Sequence, residues 1–146
     1  MSKENEITFI FDSYSENEAL ARTVVAAFVS RLDPTLEELA DVKTAVSEAV
    51  TNAVIHGYDG KEGKIQIHSR IEGNVIWIEV IDEGVGIPDV NKAMEPLYTT
   101  KPEMERSGMG FAFMEAFMDE LEVESAPGKG TKVCMRKTIY SAFNLS

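Results

Sequence analysis

Residues 48–57 read Glu48-Ala-Val-Thr-Asn52-Ala-Val-Ile-His56-Gly57, and this stretch carries a polar pair beside an apolar stripe. Glu48 and Asn52 stand four residues apart, so on a helix they lie on one face with a rise of about 6 Å between them. A carboxylate and an amide at the edge of a core can serve as a general base and a metal ligand. A solvated helix edge has the same spacing, so the pattern alone leaves both interpretations open.

The helix that contains this stretch has a clear start and a clear end in the sequence. Thr35 and Glu38 form a capping box, and Gly57 predicts that the helix ends near His56. The apolar positions recur with the helical period that marks a buried face. They are Leu39, Val42, Val46, Ala49, Val50 and Ala53.

A second polar segment, Asp82-Glu-Gly-Val-Gly-Ile-Pro88, directly follows an apolar strand. A carboxylate at a strand end can accept a hydrogen bond from an exocyclic amine. Gly84 and Gly86 would let the backbone pack flat against a ring, because glycine lacks a side chain and tolerates unusual φ angles. The alternative is an ordinary exit from a strand, with Asp82 as a turn former.

A third segment combines positive charge with glycine. It contains Thr99-Thr100-Lys101 and, downstream, the run 106–111, which reads Arg-Ser-Gly-Met-Gly-Phe. A glycine-rich segment that enters a helix N-terminus offers N–H donors and a favourable dipole to phosphate. A surface loop without a ligand is the other interpretation.

The remaining pattern alternates short strands with helices and predicts an α+β fold. Ile7, Phe9 and Phe11 alternate as in a half-buried strand, and Ser15 with Glu18 predicts a capped first helix. Further strands are predicted at 64–70, 74–81, 121–125 and 132–139, and further helices at 89–95 and 109–119. The hairpins and the alternating elements favour a mixed, mostly antiparallel sheet with helices on one face.

Length and charge restrict the class of protein. With 146 residues the chain is expected to form one domain, 1–146. Its net charge of −11 argues against direct binding of nucleic acid, which favours basic surfaces. Its single cysteine, Cys134, excludes an internal disulfide. No leader and no run of 18 apolar residues is present, so we expect a cytoplasmic protein without a membrane anchor.

Several common kinds of site are missing. The sequence has no G-x-x-x-x-G-K-[ST] phosphate loop and no G-x-G-x-x-G after the first strand. His56 and His68 have no metal-ligand spacing with each other or with Cys134. No nucleophile elbow of a Ser-His-Asp hydrolase is present.

Taken together and in order, the segments resemble the motifs of one ATPase superfamily. The stretch 48–57 looks like the N-box of the gyrase, Hsp90, histidine kinase and MutL ATPases, and 82–88 resembles their first glycine box. Residues 107–111 resemble the second glycine box, and Gly128-Lys-Gly-Thr131 resembles the last. The resemblance implies a two-layer α/β sandwich of the Bergerat type that binds ATP and Mg²⁺.

Within that superfamily, the chain is similar to the bacterial anti-sigma serine kinases. The segment 95–111 looks most like the sigma-F branch, which acts in sporulation. The resemblance implies a homodimeric protein kinase that inhibits a sigma factor, sigma-F, and phosphorylates a serine of an anti-anti-sigma protein. Three alternatives stay open: a general-stress anti-sigma kinase, a nucleotide-gated binding module without catalysis, and a detached histidine-kinase catalytic domain.

The same resemblance implies roles for individual residues. Glu48 would take the proton from the serine hydroxyl, Asn52 would ligate Mg²⁺, and Asp82 would bind the adenine amino group with Thr131 nearby. A lid would run from about 96 to 107 and cover the phosphates. The remaining nucleotide contacts would come from the glycine boxes and the lid, at Gly84, Gly86, Thr100, Lys101, Arg106, Ser107, Gly108, Met109 and Gly110. The first helix around Arg22 is expected to contribute to sigma-factor contact.

Overall fold

The fold is a five-stranded sheet with helices on one face, seen in a computed structural model that describes residues 4–59, 61–95 and 110–140. The strands are β1 (Asn5–Asp12), β2 (Lys64–Glu72), β3 (Val75–Asp82), β4 (Glu120–Ser125) and β5 (Thr131–Thr138). The helices within the described ranges are α1 (Asn17–Val29), α2 (Leu36–Asn52), α3 (Val90–Ala93) and α4 (Gly110–Phe117).

The sheet has the order β1-β2-β3-β5-β4, so β3 is its central strand. All pairings between the described strands are antiparallel. The predicted α+β class, with a mostly antiparallel sheet and helices on one face, is therefore confirmed. The mixed component of that prediction is not found among these strands, because each neighbouring pair runs in opposite directions.

The core lies between the inner face of the sheet and the helices. Strand residues alternate in burial, as a sheet covered on one side requires. Ile76, Ile78 and Val80 share the buried face of β3, as predicted, and Trp77 lies on the opposite face. The largest fully buried side chains are Ile65, Ile67, Ile76, Ile78, Met114, Met135, Ile139, Val25, Val29, Val42, Val46 and Val50.

The start of α2 is the one that the sequence predicts. The Thr35 side chain accepts a hydrogen bond from the Glu38 N–H at 3.1 Å, and the Glu38 carboxylate accepts one from the Thr35 N–H at 2.9 Å. Both groups of the capping box are therefore satisfied, which fixes where the helix begins. The face that α2 turns to the core is marked by its buried residues, and the half-buried Glu48 and Asn52 border that face.

The capping box predicted for α1 is wrong. Its N-cap is Glu16, and no side chain caps the helix. The Ser15 carbonyl accepts the Glu18 N–H at 3.1 Å, and the Glu18 carboxylate pairs with Arg22 at 3.2 Å. A tight turn already supplies backbone acceptors for the first N–H groups, so the serine hydroxyl is not needed as a cap.

The last turn of the long helix widens before it stops. Residues Ala53–Gly57 form a π-helical turn after α2, and the Tyr58 N–H bonds the Ala53 carbonyl at 3.0 Å. Single π turns inside helices occur frequently at functional sites. Here the π turn ends at Gly57, which lies directly beside Asp82 at the end of β3. No described helix combines the length and the apolar composition that crossing a bilayer requires.

A core substitution tests the layer architecture. Ile78→Ala should lower the free energy of unfolding by about 2–5 kcal/mol, because it removes methyl groups from a fully packed site on the central strand. Leu36→Ala is the control, since Leu36 is 86% exposed and its truncation should change stability by less than about 0.5 kcal/mol. Urea unfolding followed by circular dichroism measures both. Equal effects from the two substitutions would contradict the assignment of Ile78 to the core.

Candidate functional site

A cleft of about 580 Å³ opens between α2, the end of β3 and the start of α4. Its volume is in the range of small-molecule sites. The walls are mostly apolar, and polar groups occur at a few positions. The apolar lining includes Ala49, Ala53, Val80, Val85, Ile87, Phe111 and Val133, and the polar lining includes Asn52, His56, Asp82, Asp89, Lys92, Glu95 and Thr131.

Asp82 is the buried acidic group of this cleft. It ends the central strand and is only 6% exposed. Burial raises the pKa of its carboxyl, while the N–H groups of Gly84 and Thr131, which bond it, lower the pKa. The Gly84 N–H donates to Oδ1 at 2.9 Å. Two N–H donors hold the carboxylate in place, so it faces the cleft as a fixed hydrogen-bond acceptor.

Glycines make room for that carboxylate. A Cβ on Gly57 would lie 2.9 Å from the Asp82 carboxyl atoms, and a Cβ on Gly84 would lie 1.9 Å from the Gly57 carbonyl oxygen. A Cβ on Gly130 would lie 2.1 Å from the Asp82 carbonyl oxygen. The three segments therefore approach Asp82 more closely than any other residue type permits. The Gly57 carbonyl uses this approach to accept the Val85 N–H at 2.8 Å.

The segment after Asp82 is joined to the turn between β4 and β5. Gly86 has φ +78°, and a Cβ there would lie 1.9 Å from the Ala126 carbonyl oxygen. The Gly128 N–H donates to the Val85 carbonyl at 2.7 Å. Two glycine-containing segments that are far apart in sequence are therefore held together, and Gly86 of the first lines the cleft.

Glu48 and Asn52 meet the start of α4. A Cβ on Gly110 would lie 3.2 Å from both terminal atoms of the Asn52 side chain and 3.3 Å from Glu48 Oε2. The missing side chain at Gly110 thus lets a helix N-terminus approach the polar pair. Asn52 lines the cleft, whereas Glu48, one turn earlier, is not among its lining residues.

Comparison with known proteins identifies the architecture. Residues 11–137 match the family model described as "Histidine kinase-like ATPase domain". The chain belongs to this family. ATP is the ligand that this family implies.

Curated relatives within the family are similar over nearly the whole chain. A protein named "Anti-sigma F factor" from Thermoanaerobacter sp. (strain X514) is 63% identical over 141 residues, which cover 97% of this chain and 99% of the relative. One of the same name from Clostridium acetobutylicum is 60% identical over 134 residues, covering 92% and 94%. This identity and coverage place the chain in the family of the anti-sigma F factors.

A solved structure supports the fold. The crystal structure of the RsbU and RsbW domains of Rv1364c from Mycobacterium tuberculosis matches with a TM-score of 0.65 at 20% identity. The match covers 92% of this chain and 32% of that one. At this identity the likeness concerns the fold alone.

The structure brings several of the predicted site residues of this ATPase domain together. Asn52, Asp82, Gly86, Gly110 and Thr131 line the cleft, and Gly84 lies behind Asp82 as an N–H donor. The predicted lid, with Thr100, Lys101, Arg106 and Ser107, lies outside the described residues, as do Gly108 and Met109 of the second glycine box. Within the described ranges, no group of three or more His, Cys, Asp or Glu side chains could hold a metal ion.

Sequence reasoning missed two residues that support the cleft. The Tyr58 hydroxyl accepts the Glu83 N–H at 2.8 Å and donates to the Lys64 carbonyl, so it joins the end of the long helix to two strands. Ser125 bonds the Ile87 N–H at 2.7 Å. Nothing in the sequence marks Tyr58. Ser125 could have been found from the hairpin register, which pairs it with Thr131.

Substitution of Gly84 tests the close approach around Asp82. Gly84→Ala should lower ATP affinity at least about tenfold, because its Cβ overlaps the Gly57 carbonyl and the segment must move away from the cleft. Gly73→Ala is the control, since Gly73 has φ +63° but no atom within 4 Å and lies in the distant β2–β3 turn. Its ATP affinity should stay within about twofold. Isothermal titration calorimetry measures both, and an unchanged affinity for Gly84→Ala would contradict this geometry.

Proposed function

We propose that the chain is an ATP-dependent protein serine kinase that also binds and inhibits an RNA polymerase sigma factor, sigma-F. Its kinase substrate would be a serine of the anti-anti-sigma antagonist. The observation that carries the kinase part is that Gly110, at the start of α4, lies against both Glu48 and Asn52, and that Asn52 lines the same cleft as the buried Asp82. The relatives named anti-sigma F factor support the sigma-F branch over the general-stress kinases.

The cleft suits the base of ATP. Its walls near Asp82 are apolar, with Val80, Ile87 and Val133 among them, and they can pack against a flat ring. The fixed Asp82 carboxylate is an acceptor for the exocyclic amino group of adenine. The base would therefore pack against these apolar side chains and bond the Asp82 carboxylate, which gives orientation as well as affinity.

The opposite end of the cleft suits the phosphates. Asn52 offers a side-chain oxygen, and Mg²⁺ commonly takes few protein ligands and completes its shell with phosphates and waters. Bound Mg²⁺ would neutralise charge on the phosphates. Gly110 at the start of α4 lies against Asn52, so the positive end of that helix dipole is close to the same region. Lys101 and Arg106 of the predicted lid are proposed to add local positive charge.

The proposed transfer needs one base and good positioning. Glu48 would accept the proton of the substrate serine hydroxyl while the serine oxygen bonds the γ-phosphorus of ATP. The bond from that phosphorus to the bridging oxygen breaks, and ADP leaves. Phosphoryl transfer is catalysed mainly by positioning and charge stabilisation, so this small set of groups is sufficient.

The acidity of the chain supports a basic protein partner. The net charge of −11 favours association with a positively charged surface, such as a DNA-binding protein presents. The proposal places part of this contact on α1 around Arg22, whose guanidinium bonds Glu18 and the Ser47 hydroxyl. Homodimerisation is part of the same proposal.

Glu48→Gln separates the chemical step from binding. The variant should bind ATP within about twofold of the native chain, yet it should transfer phosphate about 10²–10⁴-fold more slowly, because it loses the base. The measurement uses γ-labelled ATP, Mg²⁺ and an anti-anti-sigma protein captured from native extract. The matched control is Glu37→Gln, an exposed glutamate in the first turn of the same helix, which should change neither quantity.

Transfer by Glu48→Gln at the native rate would contradict the assignment of the base. ATP binding without any transfer by the native chain would favour a nucleotide-gated binding module. A labelled product that is lost in acid would indicate phosphohistidine and a histidine-kinase catalytic domain. An acid-stable phosphoserine product supports the proposal.

A further inference from the structure

Ser125 lies at a junction of three segments beside the cleft. It ends β4, and its register partner on β5 is Thr131. Its hydroxyl oxygen lies 2.7 Å from the Ile87 nitrogen, 2.7 Å from the Gly130 carbonyl oxygen and 2.8 Å from Thr131 Oγ1. Ser125 is half-buried and not part of the cleft lining, so any effect that it has on a ligand must act through its neighbours.

The proton count at Ser125 fixes the direction of each hydrogen bond. The Ile87 N–H can only donate, so Ser125 accepts there. The Gly130 carbonyl can only accept, so Ser125 donates its single proton there. At the third contact Ser125 has no proton left, and the Thr131 hydroxyl must donate to it. The hydroxyl proton of Thr131 is therefore already donated to Ser125, and the Thr131 oxygen can only accept hydrogen bonds from other partners.

Thr131 and Asp82 together then present acceptors to the cleft. Both residues line it, and they face each other across the β3–β5 pair. The Asp82 carboxylate already receives the N–H groups of Gly84 and Thr131. Neither residue has a donor available at this end of the cleft.

We infer that Ser125 is a positioning residue that holds the Thr131 hydroxyl as an acceptor and thereby selects 6-amino purines over 6-oxo purines. This rests on the proposed function, in which the cleft binds a nucleoside triphosphate. A 6-amino group donates N–H to acceptors. A 6-oxo group places a carbonyl oxygen against the same acceptors, and a buried polar group without a partner lowers affinity.

Ser125→Ala releases the Thr131 hydroxyl, which can then rotate and donate to a 6-oxo group. The native chain should bind ATP at least about thirtyfold more tightly than inosine triphosphate, and Ser125→Ala should reduce that preference about tenfold. Isothermal titration calorimetry with each nucleotide and Mg²⁺ gives the ratio. Ser30→Ala is the control, because Ser30 is an exposed serine directly after α1 whose hydroxyl donates to the Ala26 carbonyl of that helix.

The ratio of the ATP affinity to the inosine triphosphate affinity shows whether Ser125 positions the Thr131 hydroxyl or only stabilises the local structure. Loss of the Ile87 contact alone would loosen the segment after Asp82 and lower the affinity for both nucleotides equally. A double-mutant cycle gives the second readout. In a Thr131→Val background, Ser125→Ala should change the ratio no further, because the hydroxyl through which it acts is gone.

A second pair of variants keeps the inference testable if Ser125→Ala does not fold. Thr131→Ser retains the hydroxyl and should keep the preference for ATP, whereas Thr131→Val should lower it. An unchanged ratio in both Ser125→Ala and Thr131→Val would overturn the inference while leaving ATP binding intact. A native chain that binds neither nucleotide would overturn both the inference and the proposed function.

Discussion

Burial of the Asp82 carboxylate at the end of the central strand requires three chain segments to approach it without side chains. Gly57 belongs to the π-helical turn after α2, Gly84 to the segment after β3, and Gly130 to the turn before β5. Each would overlap a neighbour if it carried a Cβ. A buried carboxylate is unfavourable unless hydrogen bonds compensate, and the Gly84 and Thr131 N–H groups supply them. The close backbone approach therefore brings the N–H groups that stabilise the buried carboxylate, which lines the cleft.

The helices and strands around Asp82 determine this close backbone approach. The capping box at Thr35 fixes where α2 begins, and the π turn that follows the helix places Gly57 beside Asp82 at the end of β3. The antiparallel pairing of β3 with β5 places Thr131 opposite Asp82. The hairpin from β4 to β5 then brings Ser125 beside Thr131. Asp82, the Thr131 hydroxyl and the start of α4 are thus positioned by different strands and helices of the fold.

Local patterns in the sequence were sufficient for much of this fold. Three features follow from side chains that interact with near neighbours in the sequence. They are the capping box of α2, the alternating burial of β3 and the end of the long helix. The prediction for α1 was wrong because backbone carbonyls of the preceding turn compete with the Ser15 hydroxyl, and sequence does not display backbone geometry. Ser125 could not be predicted from local sequence for a related reason. Its role depends on the β4–β5 register and on the directions of its hydrogen bonds to Ile87, Gly130 and Thr131.

The most direct test of this account is a crystal structure of the chain with Mg²⁺ and a non-hydrolysable ATP analogue. We expect the adenine amino nitrogen to lie within hydrogen-bond distance of the Asp82 carboxylate, and the metal to be bound by the Asn52 side-chain oxygen and the phosphates. A nucleotide whose base lies away from Asp82, or whose metal does not contact Asn52, would contradict it.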